Sequence, residues 1–560
     1  MRRRDVLGAL GAVALGGWAV MSGPSSTRTE ESRRQSPLER GEPTPTGAEE
    51  TDPRPVQTST DTVATSTDEY EVVHDVVSDL GCAPDGSEPC DEHLSAALGD
   101  RVAFRFPPGR YQFDGRFRVE ATDRIGLLGS SEGDVELVPP DGFNSYLINF
   151  SDVGRATVRN LSIDLTATST TAGIRCITAD GFQLDEITYR GRGTHTSESV
   201  VHALALAVTN ADASGTLRNV VARKGSATGH YKGGNGRGGV WIGRDHRGTA
   251  YIRDCVFCEF GNNGLYTSRA PGDIRVHGGT YENNNVSAVR ISGDGSYVTG
   301  AEITVDLSEY SGPRTRLDSA FASRGVAVEQ GPLDNPPGAV VENTTVDIRE
   351  TPSPGPAVSV WPTGKTVSIT DSTLRVAGDS PVVHRKTESK QGSHAPATGA
   401  RSVSMVDTTV EGSGPGPPLV VLRDASDSLL RNCDIRSDSD RVGMALIRSP
   451  RMAVRSATID TGGYPIVVEE GLRSSAECLL SISPSLELRT GLEVAPNRTR
   501  SIRRGDLTTP AATSYSELSE SEGVYCLSAT DLELRADSVG YLAVTGFTDE
   551  SLTYTIVEPA

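Results

Sequence analysis

A short strand phrase repeated along the chain, an Asn or Asp at its centre, and turns that never give way to a helix pattern predict an all-β protein wound as a parallel β-solenoid. The phrases are ATVRNLSIDL around Asn160, FQLDEITY around Asp185, TLRNVVA around Asn219, YIRDCVF around Asp254, VVENTTVDI around Asn343, VSITDSTL around Asp371, VSMVDTTV around Asp407 and LLRNCDIR around Asn432. Several gaps are 24 to 28 residues, which fits two or three short strands and their turns. A coil that bends sharply needs one left-handed residue, and Asn and Asp tolerate that conformation better than other non-Gly residues. A second phrase, a small residue followed by alternation, recurs from Gly173, Ala205, Gly239, Gly264, Ala288, Gly325 and Ala357; Gly239, Gly264 and Ala288 are 25 and 24 apart. About eleven coils are expected.

Composition agrees. An apolar fraction of 36% over 560 residues is low for a chain that must bury several large cores, and it suits an elongated fold. With 74 acidic against 54 basic residues the net charge is -20, which excludes a nucleic-acid binder working by bulk charge. Lys supplies only Lys224, Lys232, Lys365, Lys386 and Lys390, and this acidic, Lys-poor balance resembles proteins of salt-loving archaea.

From the start of the chain, residues 1–22 place Arg3 and Arg4 before a short Gly/Ala-rich apolar run, which resembles a twin-arginine export signal. The run is shorter than the roughly 20 residues that span a bilayer. A secreted or cell-surface protein is expected, with no transmembrane span unless this segment is retained as an anchor. Residues 23–68 are Ser, Thr, Pro, Glu and Arg with almost no large apolar group, a flexible linker. Cys82 and Cys90 bracket a Pro-Asp-Gly turn and form the most credible local disulfide. Asp91 reads as the N-cap of a short helix whose Leu94, Ala97 and Leu98 face inward.

That segment, DLGCAPDGSEPCDEHLSAAL followed by DRVAFRFPPGRYQFDG, is similar to the N-terminal cap of the pectin-lyase-like superfamily, and with the coil phrases the chain resembles its right-handed parallel β-helix proteins. The resemblance implies a right-handed parallel β-helix over residues 69–470 closed by a cap helix. It implies little chemistry, because the scaffold hosts lyases, hydrolases, esterases, epimerases and noncatalytic fibres. SRAPGDIRVHGG and YIRDCVF depart from the pectate lyase pattern at decisive positions, with Arg253 and Asp254 where Asp and His would stand. The polygalacturonase motifs are absent as a series.

After the last coil, residues 471–560 alternate as ELRAD, YLAVTGF and LTYTIVE without a coil period, and read as a small C-terminal β-rich domain or a cap. Cys478 and Cys526 could staple it. Cys255 and Cys258 lack a second pair or a nearby His-x-His, so they read as buried thiols or a disulfide rather than as zinc ligands.

Alternation also selects the outward residues. With Val240 and Ile242 inside, Trp241 points out, and the same offset gives Tyr266 and Arg290 in the next coils, with Arg175 and Ala207 upstream. Exposed aromatics beside Arg suit sugar rings and the acidic groups on them. Trp241, Tyr266, Arg290 and Arg175 are therefore the candidate substrate-binding residues. Asp245 and Asp294, each six residues after the small residue of its coil, are candidate acid and base, with His246 as a proton carrier and Arg269 to stabilise a developing enolate. The expected partner is a polysaccharide or cell-surface glycan, bound or acted on by a lyase or glycoside hydrolase. The alternative is a noncatalytic glycan-binding, adhesive or structural surface protein. No residue set fixes a metal or cofactor; a divalent cation enters only with a lyase.

Overall fold

Alternation along the strands builds each coil. Strand Thr249–Arg253 buries Ala250 and Ile252. Asp254 then bends the chain at φ +50°. Val256–Cys258 and Leu265–Tyr266 follow as second and third strands. The chain next enters Asp273–His277, which lies parallel and in register on Thr249–Arg253. Repetition of this path gives three parallel sheets around one continuous apolar core, a right-handed parallel β-helix. This computed structural model describes residues 69–470 apart from 197–198, 230–235, 315–316, 318–320, 330–337 and 387–400, and beyond 470 the segments 478–482, 485–491, 499–503, 525–528, 540–547 and 551–557. The export segment 1–22 and the linker 23–68 lie outside the described residues.

The first sheet climbs from Val72–Asp75 to Cys478–Ile482, the second from Asp85–Pro89 to Glu487–Thr490, and the third from Phe117–Gly129 to Ile466–Glu470. Among the described residues the first sheet stacks fifteen strands, more than the phrases suggest. One coil before residue 155 bends without the Asn signal, because Pro107 and Pro108 make the turn between Val102–Phe106 and Gly109–Gln112.

The bend between first and second sheets is left-handed in coil after coil, at Asn160, Asn219, Asp254, Asn343, Asp371, Asp407 and Asn432, with φ between 44° and 53°. One position differs from the expectation: Glu186, not Asp185, carries the positive φ. Asp185 lies opposite Arg218, the last residue of the next coil's strand, and its carboxylate takes the Arg218 guanidinium at 3.0 Å. Gly278 replaces the Asn at φ +61°, where a Cβ would come within 2.5 Å of the Asp254 carboxylate.

The cap is a helix, α1, at Asp91–Ala96, with Leu94 buried and Ala97 and Leu98 packed against the core. Its N-cap is Cys90, held by a disulfide to Cys82, and not Asp91. Asp91 instead accepts the backbone N–H of Asp114 at 3.0 Å, fastening the helix to the following strand region.

At the far end, Cys478–Ile482 and Glu487–Thr490 still lie parallel on Met452–Arg455 and Thr458–Thr461, so a boundary at 470 falls inside a coil. Antiparallel strands then close the stack: Gly540–Phe547 pairs with Ile466–Glu470, and Tyr525–Ser528 with Cys478–Ile482. That register sets Cys526 opposite Ser481 and Cys478 opposite Ser528, so the two cysteines do not face each other. Cys255 and Cys258 are free and buried, and burial pushes both thiols up to about 12. No helix among the described residues is long and apolar enough to cross a membrane.

Candidate functional site

The outward row of the third sheet reads, in register, Asn149, Arg175, Ala205, Trp241, Tyr266, Arg290, Ala327, Ser359 and His384. Ala205 holds the position expected for Ala207, which pairs with Ile177 two residues further along the strands. Trp241, Tyr266 and Arg290 are all half-buried, with Val240, Ile242, Leu265, Val289 and Ile291 inside.

Four of the expected residues converge. Trp241, Arg175, Asp245 and Arg269 line one pocket of about 350 Å³, together with Tyr146, Arg244 and small or apolar groups of the third sheet. The Arg175 guanidinium is aimed by donation to Ser151 Oγ at 2.5 Å and Asn149 Oδ1 at 3.4 Å. Arg269 lies over both aromatics, 6.0 Å from the Trp241 ring and 5.5 Å from the Tyr266 ring. Among the described residues no carboxylate forms an ion pair with Arg175, Arg244 or Arg269.

Trp241 is buttressed from behind by His202, stacked at 5.7 Å and 11°. His202 Nδ1 accepts the Gly238 N–H at 3.1 Å, and burial, with Arg237 nearby, pushes its imidazole down to about 4, so the ring packs as a neutral plate. Sequence reasoning missed Tyr146 and His202, which belong to other coils or positions than the 24 to 25 residue phrase. A histidine just before a small-residue phrase, as His202 is, was the available signal.

The other expected residues are placed elsewhere. Tyr266 stands behind Trp241 and beneath Arg290, whose guanidinium is 4.4 Å from the Tyr266 ring and pairs with Glu329 rather than facing the pocket. Asp294 sits exposed in a turn and outside the pocket lining. His246 is fully buried: Nδ1 accepts the Val208 N–H at 3.1 Å and Nε2 faces the Asp273 carbonyl at 3.4 Å. Both ring nitrogens are engaged by main chain, so a proton-carrying role at the rim does not fit. Asp245 alone remains exposed and in the lining as an acid/base group. Among the described residues no cluster of three or more His, Cys, Asp or Glu could hold a metal ion.

No protein-family model matches the chain, and no curated protein matches it in sequence. Solved structures of similar outline include the mannuronan C-5 epimerase AlgE4 A-module of Azotobacter vinelandii, at 11% identity and a TM-score of 0.41 over 71% of this chain and 97% of that one. A double mutant of the tailspike of E. coli bacteriophage HK620, in complex with a pentasaccharide, gives 12% identity and 0.37 over 87% and 93%. The surface adhesin PfbA of Streptococcus pneumoniae gives 11% and 0.33 over 75% and 91%.

Proposed function

We propose that the third sheet binds an acidic polysaccharide, with Trp241 against a sugar ring and Arg175, Arg244 and Arg269 against its anionic groups. One observation carries this reading: three guanidinium groups without a carboxylate partner among the described residues share a single pocket with Trp241 and Tyr146, on a chain of net charge -20. Arg matches carboxylate and sulfate geometry through paired N–H donors, and it is weakly hydrated enough to work against an aromatic face.

Binding without hydrolysis is favoured by the carboxylates. An inverting glycosidase needs two at about 6.5–9.5 Å, and a retaining one needs them closer. Asp245 is the one acidic residue in this lining. A second, lyase-type reading rests on Asp245 beside Arg269, the first as the base and the second facing the developing enolate. Only that reading brings in a divalent cation.

Purified protein in high salt, offered acidic and neutral polysaccharides, separates these readings. Retention on acidic chains only, with no new reducing ends and no absorbance from unsaturated uronates, is the expected result. Equal retention on neutral chains would remove the role given to the arginines, and unsaturated products would make the protein a lyase. The same surface suits a secreted or cell-attached protein, and Arg3 and Arg4 are its address. Changing both to Lys should leave the protein inside the cell; unchanged export would overturn that address.

A further inference from the structure

Farther along the same outward strip, from Arg290 onward, three cations gather around one indole. Arg290 lies 5.8 Å from the Trp361 ring centroid, Arg324 5.7 Å and the Lys386 amine 4.6 Å. Their coils are successive: Arg290 pairs in register with Ala327, Ala327 with Ser359, and Ser359 with His384, which places Glu329, Trp361 and Lys386 two residues further on in each strand path. Against these three positive charges the acid in the cluster, among the described residues, is Glu329, buried and bonded to Arg290. An uncompensated cation taken out of water is costly, so a partly buried set of three against one calls for a further negative charge. Donors also stand unused there: among the described residues Ser359 Oγ, Trp361 Nε1 and Arg290 Nε are buried without a hydrogen-bond partner, and Ser359 is wholly inaccessible. Lys386, Arg324 and Trp361 keep partial exposure, so a ligand can reach them.

We propose that Arg324, Lys386 and Arg290, over Trp361, form a second site that takes an oxyanion, the carboxylate or sulfate of a sugar unit on the same polysaccharide chain. It extends the acidic-glycan reading of the Trp241 pocket along the strip and rests on that reading for the identity of the ligand. The electrostatics agree with an anion site. Burial, and then Arg324, push the Lys386 amine down to about 7 against the pull of Glu329. Burial, and then Arg290, push Arg324 down to about 10. An anion bound between them would restore both cations.

The test reads Lys386 directly in the full chain. Reductive methylation at neutral pH, located by mass spectrometry, is followed with trigalacturonate, inorganic sulfate, chloride at matched ionic strength, or a neutral trisaccharide. Trigalacturonate should slow Lys386 methylation by about tenfold, the change expected when one charge-assisted hydrogen bond is formed, while the neutral sugar leaves it unchanged. Protection should persist in Trp241→Ala, where the first pocket is disabled, so failure of the first site and of this one are told apart. Arg324→Gln should abolish protection; Lys365, a lysine outside the cluster, should react alike throughout. Equal methylation with every anion would overturn the site. Protection by sulfate or chloride but not by trigalacturonate would overturn the sugar ligand and make this a site for a free inorganic anion.

Discussion

The rings of Trp241 and Tyr266 meet edge to face, 4.7 Å apart at 89°, across one step of the third sheet. Only Trp241 reaches the pocket, so Tyr266 fixes the indole and does not form a second platform. Trp241→Ala should therefore weaken an acidic oligosaccharide by about 1 to 3 kcal/mol in titration calorimetry, the scale of one aromatic contact. Tyr266→Ala should cost less in binding, because its loss acts through the pose of Trp241. Equal losses would mean that both rings touch the sugar.

Arg269 spans both rings without an ion pair among the described residues, which leaves its charge for the ligand. Arg269→Gln should cost about 1.5–3 kcal/mol with an acidic oligosaccharide and nothing with its reduced, neutral counterpart. A similar loss with both would assign Arg269 to packing.

His246 ties stability to pH. Burial pushes its imidazole down to about 4, against the pull of Asp273, while the unfolded chain holds it near its ordinary value of about 6.5. On acidification the unfolded state takes up the proton first. The contribution is thus whole above about pH 6.5 and is lost as pH falls towards 4, to the order of 3 kcal/mol. His246→Asn keeps an acceptor for the Val208 N–H and does not titrate. Urea midpoints measured from pH 7 to pH 4 should fall less steeply in this variant, from a starting stability lower by about 1 kcal/mol. Parallel slopes would show that His246 is not the group responsible.

Arg441 is buried between coils, and among the described residues no carboxylate lies at hydrogen-bonding distance from it. Its guanidinium donates to the carbonyls of Pro417 at 2.8 Å, Gly378 at 3.3 Å and Ser380 at 2.5 Å. Burial pushes it down to about 10, yet it stays the donor that satisfies three main-chain acceptors at once. Arg441→Met should cost about 3 kcal/mol or more in urea unfolding, since it leaves those carbonyls buried and unpaired, and Arg441→Lys should fall between. A Met variant as stable as the parent would mean that water takes over the carbonyls.

What the sequence disclosed follows from how spacing is kept. Trp241, Tyr266 and Arg290 were legible because Gly239, Gly264 and Ala288 open coils of 25 and 24 residues, and alternation within a three-residue strand leaves no freedom about which side chain points out. Asp294 and His246 were not, because each lies in the turn after the strand, where the two-residue period ends. A ring in such a turn folds inward or outward by contacts that spacing does not encode. The bend at Glu186 was misread by one residue because Asp185 beside it is the better turn former. Glu329, Trp361 and Lys386 stayed hidden because each comes directly after the last residue of its strand, Val326–Val328, Val358–Val360 and Val383–Arg385, where the two-residue period no longer fixes a side chain's direction. Lys386 still had a signal, as one of only five lysines in the chain.

Arg375 and Glu411 illustrate a charge ladder on the second sheet. Asp347, Arg375, Glu411, Arg436, Asp460 and Arg489 follow one another in register, alternating in sign, with Arg375 Nε 2.5 Å from Glu411 Oε2. The Arg375 side chain is 44% exposed, so each attraction is small, at most about 1 kcal/mol. Removing an interior Arg does more than lose a pair, since it brings Asp347 and Glu411 to either side of a neutral rung. Salt shortens the reach of these charges from about 10 Å at 0.1 M to about 3 Å at 1 M. Arg375→Gln should accordingly lower the urea midpoint in dilute buffer, by about 0.5–1 kcal/mol of stability, and by much less in molar potassium chloride. An equal loss at both salts would assign the effect to the aliphatic stem of Arg375 packing on the sheet, and the ladder would then be a consequence of the fold with no part in holding it.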